Sequence, residues 1–189
     1  MARRLGIYIH IPFCASKCSY CDFYSLAGCD GSMPEYHRAL LQHLAESARS
    51  IKQYEVDSVY FGGGTPSYYG ADRIVDLFNA LKLNGNVRLD AEVTVEANPD
   101  SISLNALRLL REEGVNRLSL GVQASDNNLL KLIGRRHNFQ QAQKAVFNAR
   151  QAGFDNISVD LMYGLPSQTR SDWAETLSRI VTATTRLAR

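Results

Sequence analysis

The sequence predicts an α/β protein built on a parallel β-sheet, and two features of the 189-residue chain carry this prediction. Short apolar segments rich in β-branched residues alternate with longer segments of helical periodicity. Such alternation is typical of βαβ units, whose right-handed crossovers give a parallel sheet that is buried on both faces. In addition, the residues suited to chemistry follow the strand segments, where this class of protein gathers its reacting groups.

Five strands are predicted, each a short apolar run. They span residues 6–13, 58–62, 92–97, 117–122 and 156–162. The first run follows two arginines, but His10 and Pro12 interrupt it and no small-residue cleavage site follows, so it is interpreted as a strand and not as a secretion signal.

Helices are predicted between these strands from apolar residues that recur at helical spacing. They span residues 34–54 and 71–83, then a segment between Ser103 as N-cap and Gly114 as terminator. A short helical turn follows at 129–133. The next helix spans 139–152, with Asn138 as its cap and Gly153 after its end, and a last helix opens at Ser171.

Polar and sulfur-bearing residues come at or just after the carboxyl ends of all five strands. A cysteine loop follows the first strand and a glycine run follows the second, while Glu96, Gln123 and Asp160 mark the remaining three. Because the carboxyl ends of parallel strands meet at one edge, one site assembled from five strand ends is expected.

The composition indicates one globular domain, with 45% hydrophobic residues. Its 21 basic and 19 acidic residues give a formal charge of +2 without long basic runs, which argues against a nucleic-acid surface. No stretch approaches the roughly 20 apolar residues of a membrane span. Clustered thiols that must stay reduced fit a cytoplasmic location, and Cys29 is interpreted as a free thiol.

Three further cysteines, Cys14, Cys18 and Cys21, form a C-x3-C-x2-C motif. Thiolates select zinc, Cu(I) or iron-sulfur clusters, and a cubane cluster normally takes four protein thiolates, so three would leave one iron open for chemistry. A structural zinc site completed by His10 or His37 is the alternative, although such sites normally use a second cysteine pair, which this sequence lacks. Three unrelated thiols are the remaining interpretation.

The other candidates each have a structural interpretation as well. The run Gly62-Gly63-Gly64 could form only a tight turn, or it could let backbone groups approach a ligand; it is not a P-loop, because no Gly-Lys-Ser/Thr follows. Glu96 and Asp160 are carboxylates in apolar strands, and Gln123 is their neutral counterpart. Arg135 is a surface charge by default, but it could reach a carboxylate or a cofactor. Because these residues are all expected at the same edge of the sheet, a functional site is favoured over separate structural roles.

Taken together, these motifs resemble the radical S-adenosylmethionine (SAM) superfamily and, within it, the family of oxygen-independent coproporphyrinogen III oxidase. The resemblance rests on residues 6–14, 18–23, 61–66, 96–99, 121–123 and 160–166. It implies a partial (β/α) barrel of the radical SAM type, with five βα units in residues 1–180 and the sixth missing.

The same resemblance implies the cofactors and their contacts. Cys14, Cys18 and Cys21 would hold a [4Fe-4S] cluster whose open iron binds the amine and carboxylate of SAM, which the reduced cluster cleaves to a 5′-deoxyadenosyl radical. Tyr20 would lie beside the cluster. The implied SAM contacts are Tyr8, Gly63, Gly64, Thr65, Glu96, Gln123, Arg135 and Asp160.

Two departures from the oxidase pattern favour a second branch of the family, the heme chaperones. Phe23 stands where the oxidase branch has a further cysteine, and only five residues precede Gly6. Members of the chaperone branch bind heme and hand it to an acceptor protein, which can be loosely membrane-associated. The acceptor and the reductant are not identified by the sequence. A radical SAM oxidase of porphyrin synthesis is the alternative function, and a structural zinc module is the third.

The end of the chain also departs from the family pattern. The family continues through a sixth strand and a C-terminal domain, which carries heme-binding residues in the chaperone branch, whereas residues 181–189 lose the pattern. The sequence is therefore interpreted as an N-terminal portion, with the heme site beyond Arg189 and the fifth strand left as an apolar, aggregation-prone edge. The residues from Val181 are expected to be a frayed helix end.

Overall fold

A computed structural model describes residues 3–185 of the chain. Its strands are β1 (Arg3–Ile11), β2 (Phe13–Cys14), β3 (Leu26–Ala27), β4 (Tyr54–Gly63), β5 (Val87–Ala97), β6 (Arg117–Gln123) and β7 (Asn156–Leu161). All five predicted strands are confirmed. The short pair β2 and β3 was not predicted, because two-residue strands carry no periodicity.

Five of the strands form one parallel sheet in the order β1-β4-β5-β6-β7, which is also their order in the chain. An order without reversal keeps right-handed crossovers, and therefore the helices, on one face of the sheet. Within residues 3–185, β1 and β7 form the two ends of this sheet and do not pair with each other. The fold is thus an open, partial (β/α) barrel, as predicted.

The helices are α1 (Met33–Ile51), α2 (Pro66–Tyr69), α3 (Ala71–Asn84), α4 (Leu104–Glu112), α5 (Asn127–Leu132), α6 (Phe139–Gln151) and α7 (Arg170–Thr185), with a 3-10 turn at Asp30–Ser32. The predicted caps are confirmed: the Ser103 side chain accepts the Ala106 N–H, and Asn138 forms a capping box with Gln141. Residues 181–185 end α7 and form no sixth strand, while residues 186–189 lie outside the described chain.

Alternation along the strands separates a core face from a polar face. The core face packs against the helices and includes Ile9, Ile11, Val59, Phe61, Val93, Val95, Leu118 and Leu120. Tyr60, Glu96, Ser119 and Asp160 lie on the opposite face and line a cavity. The sheet is therefore not apolar on both faces.

The same alternation corrects the prediction for β7, which was expected to be apolar on both sides. Ile157 and Val159 pack against the core, but Ser158 and Asp160 alternate with them, and Asp160 is exposed.

Among the described helices, none has the length and apolar character that crossing a bilayer requires.

Candidate functional site

A cavity of about 440 Å³ opens at the carboxyl ends of the strands. This volume lies within the range of about 300–1,000 Å³ that is usual for small-molecule sites. Of the residues predicted to form the site, the cavity is lined by Cys14, Cys18, Tyr20, Cys21, Gly63, Gly64, Thr65, Glu96, Gln123, Arg135 and Asp160. The structure thus brings together all of them except Tyr8.

The cysteine loop is held where its two ends pair with each other and again in its middle. Near its start, the Leu26 N–H donates to Pro12 O at 2.7 Å, which pairs β3 with β2. In its middle, the Ser19 N–H donates to Ile133 O at 3.3 Å, and Gly134 lies directly against Ser19. The loop is therefore held over the strand ends by contacts from two different βα units.

The three thiols surround the cavity without meeting at one point. Cys14 is buried, whereas Cys18 and Cys21 are partly exposed. Within residues 3–185, no three His, Cys, Asp or Glu side chains are grouped closely enough to hold a single metal ion. A cubane cluster does not need such a group, because each thiolate binds a different iron.

The two histidines considered for a zinc site have other partners. His37 Nε2 lies 2.8 Å from Asp76 Oδ2, and His37 Nδ1 lies 2.9 Å from the Tyr69 hydroxyl. His10 contacts the Tyr8 hydroxyl at 3.1 Å and Tyr24 O at 3.0 Å. Neither histidine is placed to complete a three-cysteine zinc site, so the donor set fits an iron-sulfur cluster better than zinc.

Arg135 binds the cysteine loop and the sheet. The sequence had suggested a different partner, either a carboxylate or a cofactor. Its Nη1 lies 3.8 Å from Cys18 Sγ and 3.4 Å from the Tyr20 hydroxyl. Its Nη2 donates to Asn98 Oδ1 at 2.7 Å and also to Gly121 O. Its Nε is buried without a hydrogen-bond partner among the described residues.

Each carboxylate oxygen of Glu96 accepts a hydrogen bond from a protein donor. The Tyr60 hydroxyl donates to Oε1 at 2.8 Å, and the Gly63 N–H donates to Oε2 at 3.1 Å. Burial, together with the hydrogen bond to Glu96, raises the pKa of Tyr60, so the phenol remains a neutral donor. Sequence analysis did not include Tyr60, although it lies on the same strand face as Gly62 and thus points towards the site.

The structure accounts for Gly63 and Gly64 without a ligand. Gly63 has φ +117°, and a Cβ there would lie 2.5 Å from the His10 ring. A Cβ on Gly64 would lie 2.7 Å from the backbone of Pro12. The Gly64 N–H donates to Ile11 O at 2.8 Å. Both glycines line the cavity, but close packing against the end of β1 already requires them, and both amides are already hydrogen-bonded.

Gln123 reaches the cavity through a distortion at the end of β6. The pairing with β7 shifts register between Gly121 and Gln123, and Gln123 has φ +71°. The Ala124 N–H donates to Val122 O at 2.9 Å, which makes this a γ-turn of the strained kind. A non-glycine residue in this conformation costs on the order of 1–3 kcal/mol, and such strain is concentrated at functional sites.

Asp160 and Tyr8 occupy the two ends of the site. Asp160 accepts a hydrogen bond from the Ser119 hydroxyl at 3.0 Å, a contact that sequence analysis missed. Tyr8 is 58% exposed and does not line the cavity, but its ring stacks on Tyr60 at 6.0 Å. Burial and the charge of Glu96 raise the pKa of Tyr8. Tyr8 therefore flanks the site at the edge formed by β1.

The fold and this cavity define a recognisable class of protein. Residues 8–180 match the Radical SAM superfamily, and the chain belongs to this superfamily. Membership implies an iron-sulfur cluster and SAM, and the three cysteines and the cavity fit both groups.

More specific similarities point to one group within the superfamily. The chain is 41% identical to the heme chaperone HemW of Bacillus subtilis (strain 168) over 86% of this chain and 43% of that protein. It is 38% identical to HemW of Escherichia coli (strain K12) over 87% and 44%, respectively. It is 35% identical to the oxygen-independent coproporphyrinogen III oxidase of Salmonella typhimurium over 94% and 39%.

Among solved structures, coproporphyrinogen III oxidase (HemN) from Escherichia coli superposes with a TM-score of 0.90 at 35% identity, over 96% of this chain and 42% of that chain. Methylornithine synthase (PylB) superposes with a TM-score of 0.62 at 18% identity, which shows the fold alone. The chain spans less than half the length of the HemW and coproporphyrinogen III oxidase proteins named here.

Proposed function

We propose that the chain is the part of a HemW-type heme chaperone that binds a [4Fe-4S] cluster and SAM. The observation that carries this proposal is the similarity to HemW proteins, at 38–41% identity for the two named above. Phe23, which lines the cavity where the oxidase branch is expected to have a further cysteine, supports the same branch. Such a protein binds heme and transfers it to an acceptor protein.

In this proposal the residues around the cavity divide the work of binding. Cys14, Cys18 and Cys21 hold the cluster, which supplies an electron to SAM when both are bound. The acceptor oxygens of Glu96 and Asp160 suit the hydroxyl and amine groups of SAM. The other proposed contacts are Tyr20 beside the cluster and Tyr8, Gly63, Gly64, Thr65, Gln123 and Arg135 towards SAM.

Anaerobic reconstitution with iron and sulfide tests the cluster. The chain should take up about four irons and show a charge-transfer band that bleaches on reduction. Serine in place of Cys14, Cys18 or Cys21 should abolish this uptake. Cys29→Ser is the matched control and should retain it, because Cys29 lies outside the cavity lining. Stoichiometric zinc binding without iron uptake would overturn the proposal.

The second candidate function is radical SAM oxidation of coproporphyrinogen III. It is favoured by the 35% identity to the Salmonella typhimurium oxidase over 94% of this chain and by the TM-score of 0.90 to the Escherichia coli enzyme. An anaerobic heme titration of a full-length relative that carries these motifs, run beside assays of SAM cleavage and coproporphyrinogen turnover, separates the two functions. The chaperone proposal predicts heme binding without turnover to protoporphyrinogen, and measurable turnover would reverse the ranking.

The remaining parts of the proposal concern the surroundings of the protein. We place it in the cytoplasm, with an acceptor protein for heme and a separate reductant for the cluster as its partners. Clustered thiols that must stay reduced fit that compartment.

A further inference from the structure

A chain of polar contacts joins two of the three clustered cysteines. Cys14 Sγ lies 3.3 Å from Thr65 Oγ1, and the Asn98 amide nitrogen lies 3.3 Å from the same Thr65 oxygen. The Asn98 carbonyl oxygen is 2.7 Å from Arg135 Nη2, and Arg135 Nη1 is 3.8 Å from Cys18 Sγ. Asn98 is the middle member, and it connects residues from three different βα units.

The chemistry of the groups sets the direction of the hydrogen bonds in this network when Cys14 is a thiolate. A guanidinium group only donates, so the Asn98 atom that faces Arg135 must be its oxygen. The Asn98 amide nitrogen then donates to the Thr65 hydroxyl oxygen. A Cys14 thiolate can only accept, so the single hydroxyl hydrogen of Thr65 then donates to Cys14 Sγ. The network therefore ends in two donors, one aimed at each sulfur.

Donors of this kind suit anionic sulfur. Thiolates are the form of cysteine that binds a cluster, and hydrogen bonds to the sulfurs help to set the reduction potential. The remaining cysteine of the motif differs: its sulfur makes no hydrogen bond within residues 3–185, and the Cys21 N–H donates to Cys18 O at 3.1 Å. The sulfurs of Cys14 and Cys18 are thus contacted by side-chain donors, whereas Cys21 is held through its backbone amide.

The geometry points to Asn98 as a positioning residue of the cluster site. Its amide fixes Thr65 and Arg135 relative to each other, and through them it fixes the separation and the donor environment of Cys14 and Cys18. Asn98 acts through these neighbours and need not touch the cluster. The assignment rests on the proposed cluster, but its effect on the thiols can be measured without one.

Alkylation of the metal-free chain, read out cysteine by cysteine by mass spectrometry, tests the thiol environment. Asn98→Ala should lower the alkylation rates of Cys14 and Cys18 several-fold relative to those of Cys21 and Cys29, because each of the two sulfurs loses a positioned donor that favours the thiolate, which is the form that reacts. Asn98→Asp should lower the alkylation rate of Cys14 alone. A carboxylate still accepts from Arg135, but it also accepts the Thr65 hydroxyl hydrogen and so withdraws the donor from Cys14.

The second measurement uses the reconstituted protein. Losing an outer partner of a metal ligand typically costs about 10–100-fold in metal affinity. The Asn98→Ala protein should therefore lose iron to a chelator about 10-fold faster than the unmodified chain, and its reduction potential should shift. If the unmodified chain takes up no iron, the proposed cluster fails, while the alkylation result still decides the role of Asn98 at the thiols.

Asn116→Ala is the matched control. Asn116 also bridges the sheet, since it accepts the Val93 N–H at 2.8 Å and donates to Ala91 O at 2.8 Å, but it does not line the cavity. Its loss should destabilise the fold without changing the relative cysteine rates or the potential. The assignment is wrong if Asn98→Ala leaves the relative alkylation rates unchanged. It is also wrong if the substitution raises the alkylation rates of all four cysteines together, which is the result of partial unfolding.

Discussion

At the scale of single residues, the polar groups around the cavity are satisfied mainly by one another. Glu96 pairs with Tyr60, and Asp160 pairs with Ser119. Such pairing gives these carboxylates hydrogen-bond donors before any ligand arrives. Ser25 Oγ and Arg135 Nε are exceptions, because both residues line the cavity and both atoms are buried without a hydrogen-bond partner among the described residues. These two atoms are therefore polar groups of the site that no protein group within residues 3–185 satisfies.

His137 predicts a dependence of stability on pH. Its Nε2 donates to Val122 O at 3.1 Å, and burial, with a smaller contribution from Arg135, lowers its pKa to about 4. Asp100 acts in the opposite direction. In the unfolded chain this histidine takes up a proton near its usual pKa of 6.5. The stabilisation is thus present above that pH and is lost as the pH falls towards 4, by up to about 1.4 kcal/mol per pH unit.

Urea unfolding above and within this pH window measures the effect. The matched variant is His137→Gln, whose amide nitrogen can keep the donor to Val122 O without titrating. Carboxylates titrate in both proteins, so the difference between the two pH profiles isolates His137. The variant should lose less stability on acidification. Identical profiles would show that the folded chain protonates His137 as readily as the unfolded chain does.

At the scale of helices and strands, the elements with a repeating pattern could be predicted and the short ones could not. Helix α6 and its cap at Asn138 follow directly from the spacing of apolar residues and the cap residue. Strand β4 was predicted as residues 58–62 but spans Tyr54–Gly63, because backbone pairing extends into polar residues. Helix α2 has four residues, too few for a periodic signal.

The caps of α6 and α1 predict different responses to the loss of a capping side chain. Asn138 accepts the Gln141 N–H at 2.9 Å, whereas Ser32, at the start of α1, makes no side-chain capping bond. Asn138→Ala should lower the free energy of unfolding by about 1 kcal/mol. Ser32→Ala should change it by less than about 0.5 kcal/mol. Chemical denaturation of both variants measures these changes. Equal losses of unfolding free energy would mean that the Asn138 side chain contributes no more stability than the Ser32 side chain.

At the scale of the whole molecule, the sequence predicts the order of the strands in the sheet. It does not predict the contacts between residues at the carboxyl ends of different strands. Each crossover is local, so the neighbour of every strand follows from the chain order. The network of Thr65, Asn98 and Arg135 joins three separate βα units, and its partners depend on the relative register of the strands and on the path of the cysteine loop. No pattern within one segment encodes such a contact. Asn98 was consequently visible in a motif without an assigned role.

The two ends of the open sheet differ in how well they are covered, and this difference predicts self-association through β7. Within residues 3–185 both β1 and β7 have a strand neighbour on one side only, but at β1 the Tyr36 hydroxyl of α1 also donates to His10 O at 2.7 Å. Exposed edges of this kind invite pairing with other chains, and inward-pointing charges prevent it. Ser158→Lys should therefore weaken concentration-dependent association in sedimentation experiments, while Ser50→Lys, the same change on exposed helix surface, should not. A chain that stays monomeric at high concentration without either substitution would contradict this prediction.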